Sequence, residues 1–105
     1  MVVYDVKISA PAENDLRDIA RYISSGLNAP ETALNMIKTI KAEISKLRKN
    51  ALFHSLVRDE RLASIGYRPL VIKNYIAFYI VNEKEKTVEI DRILYDRRDW
   101  QNILG

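Results

Sequence analysis

The chain has 105 residues, 48% of them hydrophobic and 30% charged, which suits one domain with a single modest core and excludes a disordered polymer. It contains no cysteine, so disulfides, thiolate metal sites and a cysteine nucleophile are all excluded. A formal charge of +3 and a pI of about 9.2 make it mildly basic, a balance that suits an acidic partner such as nucleic acid or an acidic protein segment.

Val2 to Ile8 reads as a strand, with Tyr4, Val6 and Ile8 alternating against Val3, Asp5 and Lys7. Asp5 and Lys7 also interrupt the first apolar run in a way that a secretory leader would not. No stretch reaches the ~20 apolar residues of a membrane span, so a cytoplasmic protein is expected.

Ser9 and Pro11 then open a helix, Ser as cap and Pro in the first turn where its missing N–H costs nothing. Ala12, Leu16, Ile19 and Ile23 form its apolar stripe, with Asp15, Arg17, Asp18 and Arg21 expected on the surface. Gly26 is the expected left-handed C-cap. Asn28 and Glu31 resemble a capping box for a second helix, whose stripe is Ala33, Ile37, Ile40, Ile44 and Leu47. Lys38, Lys41, Lys46 and Lys49 fall on its other face, a solvated surface unless a partner uses it. Two helices joined this closely should pack as an antiparallel hairpin.

Asn50 to Ile65 is mixed, holds the lone histidine, His54, and reads as a loop with a short edge strand or turn. Tyr67–Ile72, Tyr75–Val81 and Thr87–Leu94 are rich in β-branched and aromatic residues. The short polar turns Lys73-Asn74 and Asn82 to Lys86 make them an antiparallel meander. Pro69 lacks an N–H and belongs at a sheet edge. Asp96 is a candidate cap for a short closing helix through Trp100 and Ile103, with Trp100 anchoring the tail. The expected architecture is α+β: an antiparallel sheet of about four strands, element order βααβββ, with the helical hairpin on one face. The other face should stay partly open, and that is where a partner would bind.

Three segments carry a resemblance. YDVKISAPAENDLRDIARYI, with Ala12, Asp15-Leu16, Ile19 and Tyr22-Ile23, resembles the opening of the RelE/ParE toxin superfamily. GYRPLVIKNYIAFYIV is similar to its central hairpin, and VEIDRILYDRRDW to its last strand and tail. The match runs over roughly residues 2–104, in the family's element order. The resemblance implies the toxin half of a type II toxin–antitoxin pair, with a cognate antitoxin that adds a strand or lays a helix in a groove. It implies no cofactor and no metal. Operator DNA would be bound only through the antitoxin.

Two activities occur in the superfamily: ribosome-dependent messenger-RNA cleavage in RelE-like members and poisoning of DNA gyrase in ParE-like members. Metal-free RNA cleavage needs a base, cations on the phosphate and an acid for the leaving oxygen. The resemblance places Arg68, Tyr95, Arg97 and Arg98 at candidate catalytic positions. Tyr95 reads as a proton donor or base-stacking platform, or else as a rim aromatic holding the tail to the sheet. Arg97 and Arg98 read as phosphate ligands, joined with Arg92 in one basic patch if the tail folds back, or else as a solvated turn. His54 has no partner in the sequence that would make it a base.

The departures from the nuclease pattern weigh more. Ile76 and Leu70 occupy positions where nuclease members present cations, Tyr95 stands where many carry histidine, and Ile103 falls near a late tyrosine. A gyrase-type toxin is therefore the leading expectation. An endonuclease with an altered site, or a degenerate toxin kept as an antitoxin partner, are the alternatives.

Overall fold

A computed structural model describes residues 2–104. Strand β1 (Asp5–Ile8) leads into α1 (Ala10–Arg21), which continues as a π-helical turn (Tyr22–Gly26) before α2 (Pro30–Ser45) and the short α3 (Leu47–Asn50). Helix α4 (Glu60–Ile65) precedes the meander β2 (Tyr67–Ile72), β3 (Tyr75–Asn82) and β4 (Thr87–Tyr95), and α5 (Trp100–Ile103) closes the described chain.

The sheet order is β1-β4-β3-β2. The meander is antiparallel as expected, but β1 lies parallel to β4, with Asp5 opposite Thr87 and Ile8 opposite Ile90, so the sheet is mixed. The reason is the hairpin: two helices carry the chain back across the sheet before β2 starts, and β1 then meets β4 running the same way. Pro69 does sit on an edge strand. A register shift between Phe78 and Tyr79 marks a bulge opposite Ile90–Arg92.

Ser9 caps α1 as its sequence suggests, its hydroxyl accepting from the Ala12 N–H at 3.1 Å and donating to the Asp91 carbonyl at 2.8 Å. Three other expected caps differ. Gly26 lies inside the π turn, and the left-handed residue is Asn28, at φ 53°. Asn28 therefore does not cap α2; Ala29 holds that place without a side-chain hydrogen bond. Asp99, not Asp96, precedes α5. The segment read as a loop also contains a helix. The Asp59 carboxylate accepts from the Leu62 N–H at 3.1 Å to start α4, and Gly66, at φ 108°, ends it.

Each sheet face has its own apolar cluster. The hairpin stripes meet the strands through Leu16, Ile19, Ile40, Ile44 and Leu47 against Leu70, Ala77, Tyr79, Val88 and Ile90, all buried. On the second face, Val57, Leu62, Tyr67, Phe78, Leu94 and Leu104 form a smaller buried group. Trp100 stacks on Phe78 with centroids 5.2 Å apart, the anchoring role foreseen for it. The second face is thus largely covered by α4 and the tail, contrary to the expectation that it stays open. What remains open are the groove ends and the sheet edges.

Candidate functional site

Among the described residues, Asp15 is the one buried charged side chain. It had been expected on the surface, yet it falls within the α1 stripe, between Ala12 and Ile19 at spacings of three and four. That position was the available signal. β1 ends at Ile8, leaving the β1-facing side of β4 without a strand partner beyond Ile90, while its other side stays paired with β3. The Asp15 carboxylate supplies what is missing: it accepts from the Ile93 N–H at 2.8 Å and takes both Nε and Nη2 of Arg92, at 2.8 and 2.9 Å. The Asp15 hydrogen bond, outweighing burial, pushes the Arg92 guanidinium above its ordinary range. Arg92 is therefore a structural clamp between α1 and β4 and does not join Arg97 and Arg98 in a basic patch.

The four candidate catalytic residues fall at two ends of the sheet. Arg68, near the start of β2, donates to the His54 carbonyl. Tyr95 ends β4 beside Tyr75, at the opposite end of the same strands, and Arg97 and Arg98 are exposed just beyond it. Arg68 pairs with Tyr79 and Tyr95 with Tyr75, so four residues of strand, roughly 13 Å at the usual rise, separate the level of Arg68 from that of Tyr95, and Arg97 lies in the turn beyond it. Leu70 is buried under the hairpin and Ile76 packs on the opposite face. Arg68 therefore does not converge with Arg97 and Arg98. His54 packs edge-on against Phe53 and Tyr79.

Two surface features can receive a partner. The first is the free edge of β1. The Asp5 N–H bonds to the Lys86 carbonyl just before β4 and the Ser9 N–H to that of Ile90, so alternation turns the Val6 and Ile8 N–H groups outward, while the Tyr4 N–H is met by the Arg48 carbonyl. A recess of about 590 Å³ runs along this edge, floored by Tyr4, Val6, Ile8 and Ile44 and flanked by Lys41 and Arg48. The second is a groove of about 640 Å³ at the end of the sheet where β4 finishes, bounded by the π turn, the start of α2 and Tyr75 and Tyr95. Tyr75 and Tyr95 meet edge-to-face at 5.9 Å, which puts Tyr95 in this groove and not against the tail. Burial, and then the neighbouring Tyr22 and Tyr95 phenols, raise the Tyr75 pKa.

The model of the ParE toxin of the type II toxin–antitoxin system parDE matches residues 6–100. The chain belongs to the ParE toxin family. Solved structures agree on the fold. A chain of the chromosomal ParDE system from P. aeruginosa superposes with a TM-score of 0.73 at 24% identity, covering 90% of this chain and 98% of that one. A chain of the RelBE2 toxin–antitoxin complex from Mycobacterium tuberculosis gives 0.63 at 19% identity, over 90% and 99%. YafQ from E. coli strain BL21(DE3) gives 0.51 at 13% identity, over 97% and 99%. No curated protein sequence matches the chain. As a ParE-family toxin it is the toxin component of a type II toxin–antitoxin system, and none of its described helices is long and apolar enough to cross a membrane.

Proposed function

We propose that this toxin arrests growth as a protein-binding poison of DNA gyrase and is neutralised by a cognate antitoxin that adds a strand to β1. The observation that carries the first half is the scatter of the cations. The positions suited to gripping a scissile phosphate are the packed side chains Leu70 and Ile76 on opposite faces, and Arg68 is far from Arg97 and Arg98. Phosphoryl chemistry without a metal depends on positioned cations, so a protein target fits this surface better than RNA does.

The antitoxin half rests on the β1 edge. Outward N–H groups, an apolar floor and flanking Lys41 and Arg48 suit an extended segment with alternating apolar and acidic residues. That segment would complete the sheet edge and place its carboxylates near the two cations.

Purified toxin should block gyrase supercoiling at stoichiometric concentrations and leave messenger RNA on translating ribosomes intact. Codon-phased RNA ends that vanish in Arg68→Ala or Arg97→Ala, with supercoiling unaffected, would establish the endonuclease instead. Growth arrest lacking altogether, with the antitoxin still bound tightly, would mark a degenerate toxin.

A further inference from the structure

Two of the chain's six tyrosines commit their hydroxyls to the fold. Tyr67 donates to Asp91 at 2.6 Å and Tyr79 to the Ala51 carbonyl at 3.2 Å, so both phenols serve the fold. Tyr22, Tyr75 and Tyr95 line the groove at the end of β4, and no hydrogen bond from another described residue occupies their hydroxyls. Tyr22 is 60% exposed and Tyr95 41%, so two large rings of this groove stand open to solvent. The π turn matters here. An extra residue in the helical turn ends α1 with Tyr22 facing the groove and Ile23 beneath it, and such turns recur where a helix has been reshaped for binding.

The floor is apolar, from Ile19, Ile23 and Met36, and the rim carries Asp18 on one element and Arg98 on another. Asp15 also reaches the groove, but its charge is already met by Arg92. Asp18 pairs only loosely with Arg21, at 3.6 Å between two exposed side chains. Aromatic faces carry negative electrostatic potential and attract cations, and open phenol oxygens accept N–H donors. A carboxylate at the rim adds to the same sign. A phosphate or a nucleotide would meet three electron-rich rings and Asp18, with Arg98 as its sole cation.

We propose that this groove is a receptor for a cationic side chain, an arginine or lysine presented by a protein partner, held against Tyr22, Tyr75 and Tyr95 with Asp18 at the rim. The side chain's methylenes cover the apolar floor and its N–H groups point to the phenol oxygens. The site is separate from the β1 edge and independent of whether gyrase is the target. Arg98 opposes this ligand, which gives the test its sign.

The test follows the tyrosine ring resonances of the full-length toxin by NMR during titration with Nα-acetylarginine methylamide. Controls are the citrulline analogue, which has the same shape without the charge, and uridine 5′-monophosphate. The expected result is a saturable shift of the Tyr22, Tyr75 and Tyr95 rings by the arginine compound, with a Kd of order millimolar for so small a ligand, and no saturation by citrulline. Tyr22→Ala and Asp18→Asn should each weaken it about two- to fivefold, and Arg98→Ala should tighten it. Dispersed spectra of these surface variants establish that they fold. Equal binding of arginine and citrulline, absence of any shift, or nucleotide binding that Arg98→Ala weakens would each overturn the proposal.

Discussion

The two faces of the sheet are held in different ways. Under the hairpin, two long helices present stripes at regular spacing to alternating strand residues, and the contact is continuous from Tyr4 to Ile93. The second face is assembled from distant pieces: a loop residue, Val57, one turn of α4 through Leu62, the strand residues Tyr67, Phe78 and Leu94, and the tail through Leu104. The first face gains from helices that bury a whole stripe at once. The second depends on short elements that have no stability of their own. A fold can therefore be secure on one side and locally loose on the other.

Perturbing each face in turn should expose that contrast. The largest loss is expected from Ile40→Ala, at a fully buried hairpin position: about 3–4 kcal/mol of global stability, read from urea unfolding. Leu62→Ala removes an equally buried side chain from the second face and should cost less, about 2–3 kcal/mol. Its amide-exchange protection should fall first in α4 and the tail while the hairpin stays protected. If Leu62→Ala lowered protection uniformly, the two faces would be one cooperative unit. Asp15→Asn, which weakens the clamp that joins the hairpin to β4, should cost about 2 kcal/mol, with the Ile93 amide as the most affected reporter.

The last effect is alkaline. Burial first, then the hydrogen bond to Asp91, push Tyr67 up to about 12, and burial pushes Tyr79 up to about 12. Both phenols are held neutral in the fold, so their contribution is complete below pH ~10, the usual value for the unfolded chain. It is lost as the pH rises from there through about 12. Tyr67→Phe and Tyr79→Phe should each flatten this loss, and the phenolate absorbance of the parent chain should show Tyr67 and Tyr79 titrating late, with Tyr75 also delayed. Loss of stability already complete at pH 10 in the parent would contradict the burial of these rings.

The same contrast decides what the sequence made legible. The hairpin stripes and the three meander strands follow from periodicity within each segment, and Tyr67–Ile72 is recovered to the residue. Helix α4 carried local signals, Asp59 as a cap and Gly66 as a stop. With Leu62 as its one buried residue, though, it had no stripe to reveal it. The parallel pairing of β1 with β4 is a choice between partners some 80 residues apart, which no local pattern encodes. At the candidate site, the family pattern located Arg68, Tyr95, Arg97 and Arg98, but nothing along the chain tells that β-strand length holds them apart. Asp15 was readable only as a polar break in an apolar stripe. The tyrosine groove could not be read at all, since Tyr22, Tyr75 and Tyr95 come from three elements joined only by folding.

The placement of β4 between β1 and β3 also governs when the molecule becomes complete. Ser9 and Asp15 bond to Asp91, Arg92 and Ile93, across 77 to 82 residues of intervening chain. A chain still emerging from the ribosome can close its helical hairpin early. It cannot seat its first strand until β4 (Thr87–Tyr95) is free, because pairings of such long sequence separation form late. A truncated or stalled translation product would thus leave both β1 and the end of β4 without their partners. The β1 edge is therefore set in place only after β4 has emerged, later than the hairpin.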